Sequence, residues 1–367
     1  MSRFRIDYSR YDESSAPKRP SKHGSRPRTK DRPAHEDAIR GRVMTVDRGR
    51  YTIYLPAVRK TKQTRGQKSR YITAMRAKEM RNTAIVTGDL VDIVGDTSGD
   101  EGSLARIVRL VDRDTVLRRS ADDADAYERI VVANADTLII VVAAANPEPR
   151  TGFIDRAMVA AFDAGITPVL CITKTDLADP VELIDHYAHL DLEIFTIGPA
   201  NPEVGLTTVE SPILRPADLD VLQERLAGHI TALIGPSGVG KSTLLNALTG
   251  ADRAVGHVNV VTGRGRHTSS STLAIPLNQA GTSMVIDTPG IRSFGMGFVD
   301  PDTVVAAFED LGPAIVDCPR GCAHTQDSPG CALDAWVAAG HAGDSGPQRL
   351  ASLRRLLENR LETDDFD

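Results

Sequence analysis

The run Gly235-Pro-Ser-Gly-Val-Gly240-Lys241-Ser242 constrains the fold more than any other stretch of the 367 residues. It follows the apolar segment Thr231-Ala-Leu-Ile and opens a helical pattern, so it reads as a phosphate-binding loop between a buried strand and a helix. Glycines at 235, 238 and 240 let backbone N–H groups wrap phosphate oxygens, and Pro236, Ser237 and Val239 complete the cradle. Lys241 is expected to reach the β and γ phosphates and to act in catalysis. Ser242 is expected to ligate Mg²⁺, with Thr243 beside it in the first turn.

Such a loop demands a parallel sheet covered on both faces, and the flanking sequence supplies one. Apolar strands are predicted at Leu138-Ile-Ile-Val-Val, Pro168 to Thr173, Ile194-Phe-Thr-Ile, Thr231 to Gly235 and Met284 to Asp287. Helical spacing separates them at Phe153 to Ala164, Pro180 to Leu190, Leu219 to Leu226 and Lys241 to Leu248.

The phosphate loop alone does not select a base, since transporter ATPases carry similar Gly-Pro-Ser-Gly loops. Thr173-Lys174-Thr175-Asp176, closing an apolar strand, makes the selection. An Asp176 carboxylate can accept from both N1–H and the 2-amino group of guanine, and adenine has no N1–H. Lys174 can lie along the purine face. Asp287-Thr-Pro-Gly290 adds a carboxylate for the Mg²⁺ shell and a Gly290 N–H for the γ-phosphate. Between the phosphate loop and the strand ending at Asp287 the polar segment from Thr262 to Thr272 reads as a switch that closes over the γ-phosphate through Thr268 or Ser269, with Thr268 also an expected Mg²⁺ ligand. A transporter-type ATPase would need an L-S-G-G-Q-like signature and an acid directly after Asp287, yet Thr288 stands there.

The order of these parts is informative. Conventional GTPases run phosphate loop, switch, D-x-x-G, base-reading motif; here the base-reading strand comes first, as a circular permutation would produce. Permutation is tolerated because domain termini often lie close together.

Outside this core the composition changes. Residues 1–36 are rich in Ser, Pro, Lys and Arg, with Lys18, Arg19, Lys22, Arg26, Arg28, Lys30 and Arg32 crowded together, and are expected to form a disordered basic arm. Residues 37–113 carry short β-like runs at Gly41 to Val46, Tyr51 to Leu55, Ile85-Val86, Leu90 to Val94 and Leu104 to Val108, punctuated by Gly and Asp turns. Five such strands predict a small barrel of the OB type, with the basic cluster Arg59, Lys60, Lys62, Arg65, Lys68 and Arg70 as a loop on it. A polar connector from Asp114 to Glu128 leads into the GTPase region, assigned to residues 114–298. The net charge of −5 conceals these two basic clusters, which suit a phosphate backbone. No apolar run is long enough for a membrane span and the N-terminus lacks an apolar signal core, so a cytoplasmic protein is expected.

Residues 299–367 hold Cys318, Cys322, His324 and Cys331 and end in an amphipathic helical pattern. Three thiolates and an imidazole fill a tetrahedral Zn²⁺ shell with no open position, predicting a mainly helical domain with one structural zinc per chain. The remaining cysteine, Cys171, lies in an apolar strand and reads as core.

With Gly-Arg-His-Thr at 265 to 268, Asp-Thr-Pro-Gly-Ile-Arg-Ser-Phe-Gly at 287 to 295 and the Cys/His cluster, the chain resembles the ribosome small-subunit-dependent GTPase (RsgA, or YjeQ) family. The resemblance implies an OB-fold, a circularly permuted GTPase and a zinc domain in that order. It implies GTP hydrolysis, binding of the 30S subunit and its 16S rRNA during late maturation, and GTP and GDP as ligands. A monomer is expected. It also raises His267 to the catalytic candidate, because Ile291 occupies the place where many GTPases use Gln to orient water. Two departures stand out. The family's Ser-Ala motif behind the guanine is replaced by Phe195-Thr-Ile-Gly-Pro-Ala200. The metal spacing is Cys-x3-Cys-x-His-x6-Cys, where the family more often has four residues in the first gap and five in the last. An RNA-binding assembly factor that uses GTP only as a conformational ligand is the alternative from another class.

Overall fold

The computed structural model describes residues 35–57, 67–120, 128–200, 213–250, 272–278, 280–288 and 299–359. The chain divides into two compact units after Asp112. Most of the basic arm, the cluster from Arg59 to Arg65, the switch bearing His267 and Thr268, and Gly290 with Ile291 lie outside the described residues.

In the first unit, β1 (Ile39–Asp47), β2 (Arg50–Leu55), β3 (Arg70–Arg76), β4 (Leu90–Gly95) and β5 (Ala105–Leu110) form a closed five-stranded barrel. Its order is β1-β2-β3-β5-β4, closed by a β1–β4 pairing, with β3 and β5 parallel and the other pairs antiparallel. This is the OB-like barrel expected from the sequence. A β-bulge between Val43 and Thr45 lets β1 serve β4 with its first half and β2 with its second. At Gly41, where the halves meet, a Cβ would lie 2.5 Å from Ile53 Cγ2, so the close approach requires glycine. Alternating residues Val43, Ile53, Ile72, Val91, Ile93 and Ile107 fill the interior.

Two sequence expectations are corrected here. Ile85-Val86 is not a strand; Ile85 is buried in the barrel core from a loop. The third strand is instead β3, whose Ile72 and Ala74 point inward and whose first residue, Arg70, was assigned to the basic loop. Its alternation is masked because the outward positions hold Tyr71, Thr73 and Met75, while the inward set has a small Ala74 and an arginine at each end. Likewise, the polar connector is partly strand: it holds β6 (Val116–Ser120), which pairs antiparallel with β7 (Glu128–Ala133) at its end, anchored by the buried side chains of Val116, Leu117, Val132 and Ala133.

In the second unit, β8 (Thr137–Ala143), β9 (Thr167–Thr173), β10 (Glu193–Ile197), β11 (Ile230–Ile234), β12 (Leu273–Pro276) and β13 (Met284–Asp287) form a sheet in the order β10-β9-β8-β11-β13-β12. All pairs are parallel except β12 with β13. Strand β12 was not foreseen; it directly follows the polar switch segment, and only Ala274 and Ile275 of its four residues are buried. Helices α1 (Thr151–Asp163), α2 (Val181–Tyr187), α3 (Pro216–Leu226) and α4 (Lys241–Thr249) alternate with the strands as expected. From β8 the chain winds outward through β9 to β10, then returns to β11 on the other side of β8 and proceeds to β13. The winding direction therefore reverses between β8 and β11, and such a reversal opens a crevice at the carboxyl ends of the strands.

The C-terminal region contains α5 (Pro301–Ala306), a 3-10 turn at Gly312–Asp317, α6 (Leu333–Ala338) and α7 (Gly346–Asn359). Leu350, Leu353, Leu356 and Leu357 are buried along one face of α7, the spacing of an amphipathic helix. That helix faces α1, where the buried Asp155 carboxylate accepts from the Tyr187 hydroxyl at 2.8 Å and lies 3.5 Å from Arg355 Nε. Arg349 adds a second fastening. Its guanidinium is bidentate to Asp310 at 2.6 and 2.8 Å, donates to the His189 carbonyl at 3.2 Å and meets Asp191 at 2.7 Å.

Candidate nucleotide site and metal centre

The phosphate loop begins where β11 ends, at the mouth of the crevice. Gly235 takes φ +153°, and a Cβ there would stand 2.2 Å from the Val141 carbonyl oxygen at the end of β8. Only glycine lets the loop leave the sheet so close to its neighbour. Gly238 and Gly240 also have positive φ, at +79° and +92°. Val239 turns inward and is buried against the core of the sheet, which pins the loop from below, while Ser237 and Ser242 remain exposed. Gly240 serves as N-cap of α4 without a side chain to cap it, leaving first-turn N–H groups to a ligand.

The base-reading strand is joined directly to this loop. The Thr173 hydroxyl, buried at the end of β9, sits between the carbonyl oxygens of Val142 at 3.1 Å and Val239 at 2.5 Å. Of the residues expected to bind nucleotide, Thr173 thus holds the base loop to the phosphate loop. Lys174 has φ +55° and donates to the Asn146 carbonyl, and Asp176 is exposed.

Sequence reading assigned no role to Arg215. The structure places its guanidinium 3.4 Å from the Thr175 hydroxyl and 3.1 Å from Asp218, closing over Gly198, whose N–H donates to the Asp218 carboxylate. A Cβ at Gly198 would lie 2.4 Å from Arg215 Nη2, so glycine in the Phe195 to Ala200 segment makes room for this arginine. The signal was weak because the two residues are separated in sequence by residues 199–214.

Lys241 folds its ammonium onto the loop carbonyls of Gly235 and Pro236, at 2.6 and 2.7 Å. Burial pushes its pKa below the ordinary lysine range, and the Asp287 charge only partly opposes this. Burial likewise pushes the Asp287 carboxyl above the usual carboxylate range, against the pull of Lys241. In both groups burial outweighs their mutual attraction, and a phosphate ester with its divalent cation would add an opposite charge beside each. Thr288, the residue after Asp287, anchors the end of β13 by donating to the Leu233 carbonyl at 2.5 Å.

In the C-terminal region, Cys318, Cys322, His324 and Cys331 bring their ligand atoms within 4.8 Å of one another. His324 Nδ1 is 3.6 Å from both the Cys318 and the Cys331 sulfur. A tetrahedral zinc with ordinary Zn–S and Zn–N bonds sets that separation at about 3.5 Å, so the four residues fit a metal ion. Burial, with the neighbouring thiols adding to it, pushes the Cys331 thiol up to about 11. A cation would be needed to hold it as thiolate at neutral pH.

A family model described as RsgA GTPase matches residues 110–297. The small ribosomal subunit biogenesis GTPase RsgA of Pseudomonas aeruginosa (strain LESB58) is 37% identical over 285 residues, covering 77% of each chain. Its namesake in Azotobacter vinelandii is 36% identical over 281 residues, covering 76% of each. Among solved structures, YjeQ from Thermotoga maritima superposes with a TM-score of 0.57 at 24% identity, covering 89% of this chain and all of that one. YloQ, described as a circularly permuted GTPase, gives 0.55 at 18% identity, covering 90% and 99%. The phosphate loop, the strand order and these matches agree: the chain belongs to the RsgA GTPase family, whose members are GTP-hydrolysing enzymes.

Proposed function

We propose that this protein is a GTP hydrolase that binds the small ribosomal subunit late in its assembly and uses nucleotide state to time binding and release. The observation that carries the nucleotide half is the geometry at the end of β11, where the positive-φ glycine loop leads into the uncapped N-terminus of α4 and Lys241 folds over the loop carbonyls. The ribosomal half rests on what the curated relatives are named for. In this reading Lys241 leaves the Gly235 and Pro236 carbonyls for the β and γ phosphates, and the loop from Gly235 to Thr243 cradles them. Asp176 reads the guanine edge, with Lys174 and Thr175 alongside. Ser242, Thr268 and Asp287 are the residues that would hold Mg²⁺. When bound, Mg²⁺ neutralises charge on the transferring phosphoryl group. Gly290 N–H is assigned to the γ-phosphate and His267 to orienting the attacking water.

The Cys3His set holds one structural zinc. The OB-like barrel, the basic arm and the Arg59 to Arg70 cluster face 16S rRNA, and the protein acts as a cytoplasmic monomer. Residues 37–113, 114–298 and 299–367 are its working domains. No helix among the described residues is long and apolar enough to cross a membrane. The test is GTP turnover measured alone and with purified 30S subunits, 50S subunits or naked rRNA. Acceleration by orders of magnitude with 30S alone is expected. A rate indifferent to 30S, with binding intact, would favour the reading in which GTP is only a conformational ligand.

A further inference from the structure

The metal centre has a second layer that the sequence motif does not announce. The His324 ring is fully buried, and its two nitrogens face different partners. Nδ1 lies 3.6 Å from each of two cysteine sulfurs, whereas Nε2 lies 2.6 Å from Oδ1 of Asp302. A neutral imidazole carries one N–H and one lone pair, and an ionised carboxylate can only accept. The short contact therefore places the proton on Nε2 and turns the Nδ1 lone pair toward the sulfurs. Metal-ligating histidines commonly donate their other N–H in this way, which fixes the tautomer and strengthens the ligand.

Asp302 is itself held in place. It is the second residue of α5, and its N–H donates to the capping carboxylate of Asp300 at 3.0 Å. The Asp300 N–H in turn donates at 3.2 Å to Asp163, the last residue of α1. The orientation of the imidazole is thereby referenced, through α5, to a helix packed on the GTPase sheet. The Asp302 side chain is 53% exposed, so no packing demand accounts for a carboxylate at this position.

We propose that Asp302 is the positioning residue of the metal centre, holding His324 as the Nε2–H tautomer so that it ligates through Nδ1. This rests on the zinc reading above.

The test uses the full-length protein with ¹⁵N-labelled histidine, loaded with Zn²⁺. Long-range ¹H–¹⁵N spectra should show His324 protonated at Nε2 and metallated at Nδ1; the reverse pattern overturns the proposal. Zinc affinity is then measured by competition with a chromophoric chelator. Asp302→Ala should bind Zn²⁺ about 10- to 100-fold more weakly. Asp302→Asn, whose side-chain oxygen can still accept from Nε2–H, should stay near the wild-type affinity. Equal affinity of Asp302→Ala and wild type overturns the assignment while leaving the zinc site intact. A wild-type protein that binds no Zn²⁺ overturns the zinc reading and this inference with it.

Discussion

Replacing Arg349 by methionine keeps an unbranched apolar side chain and removes the charge, including the guanidinium that stands 5.6 Å from the Phe308 ring centroid. The Arg349 side chain is 9% exposed and its bidentate partner Asp310 is 24% exposed. Breaking a buried pair from one side costs about 3–5 kcal/mol, most of it the penalty of stranding the remaining charge. The partial access of water to Asp310 reduces this to about 2–3 kcal/mol, or roughly 30- to 150-fold in the opening equilibrium. Asp191, 80% exposed, adds little.

The assay is urea unfolding followed by the fluorescence of Trp336, the sole tryptophan, whose indole N–H donates to the Asp310 carbonyl at 2.9 Å. Adding Asp310→Leu to Arg349→Met should recover much of the loss, because no charge is then stranded. The effect should also depend on pH. Burial pushes the Asp310 carboxyl up, but the Arg349 hydrogen bonds and charge outweigh it and hold its pKa below the usual range. The contribution is therefore complete above the unfolded carboxyl value of about 3.9 and is lost as pH falls through the lower folded value. A single variant as stable as wild type at pH 7, or a double variant no better than the single, would refute the reasoning.

Gly235→Ala should weaken GDP binding by more than about 100-fold in calorimetry, since the new Cβ would stand 2.2 Å from the Val141 carbonyl oxygen and the loop must move; an affinity within a few-fold of wild type would contradict the loop geometry. Asp176→Asn should lower GDP affinity by about 100-fold or more and admit xanthine nucleotides, read by competition binding; unchanged base preference would remove Asp176 from the guanine site. His267→Ala should keep GTP and 30S binding while losing about 100-fold or more of the subunit-stimulated rate; full turnover would assign water orientation to another residue.

Much of this protein could be read from its sequence because the information is local. A phosphate loop needs its glycines, lysine and serine in consecutive positions, since one strand end and one helix start must contact the same phosphates. The apolar strand runs of the GTPase sheet, the order of the motifs and the Cys/His cluster were legible for the same reason. Strand β3 and the β6–β7 hairpin were not, because their burial depends on which barrel or sheet neighbours cover them. Only the tertiary structure joined residues far apart in the chain. It set Thr173 under Val239, Arg215 against Thr175, Arg349 between Asp310 and Asp191, and Asp302 on His324. Each of these is a hydrogen bond or ion pair whose strength lies in distance and burial, and neither quantity exists until the chain has folded.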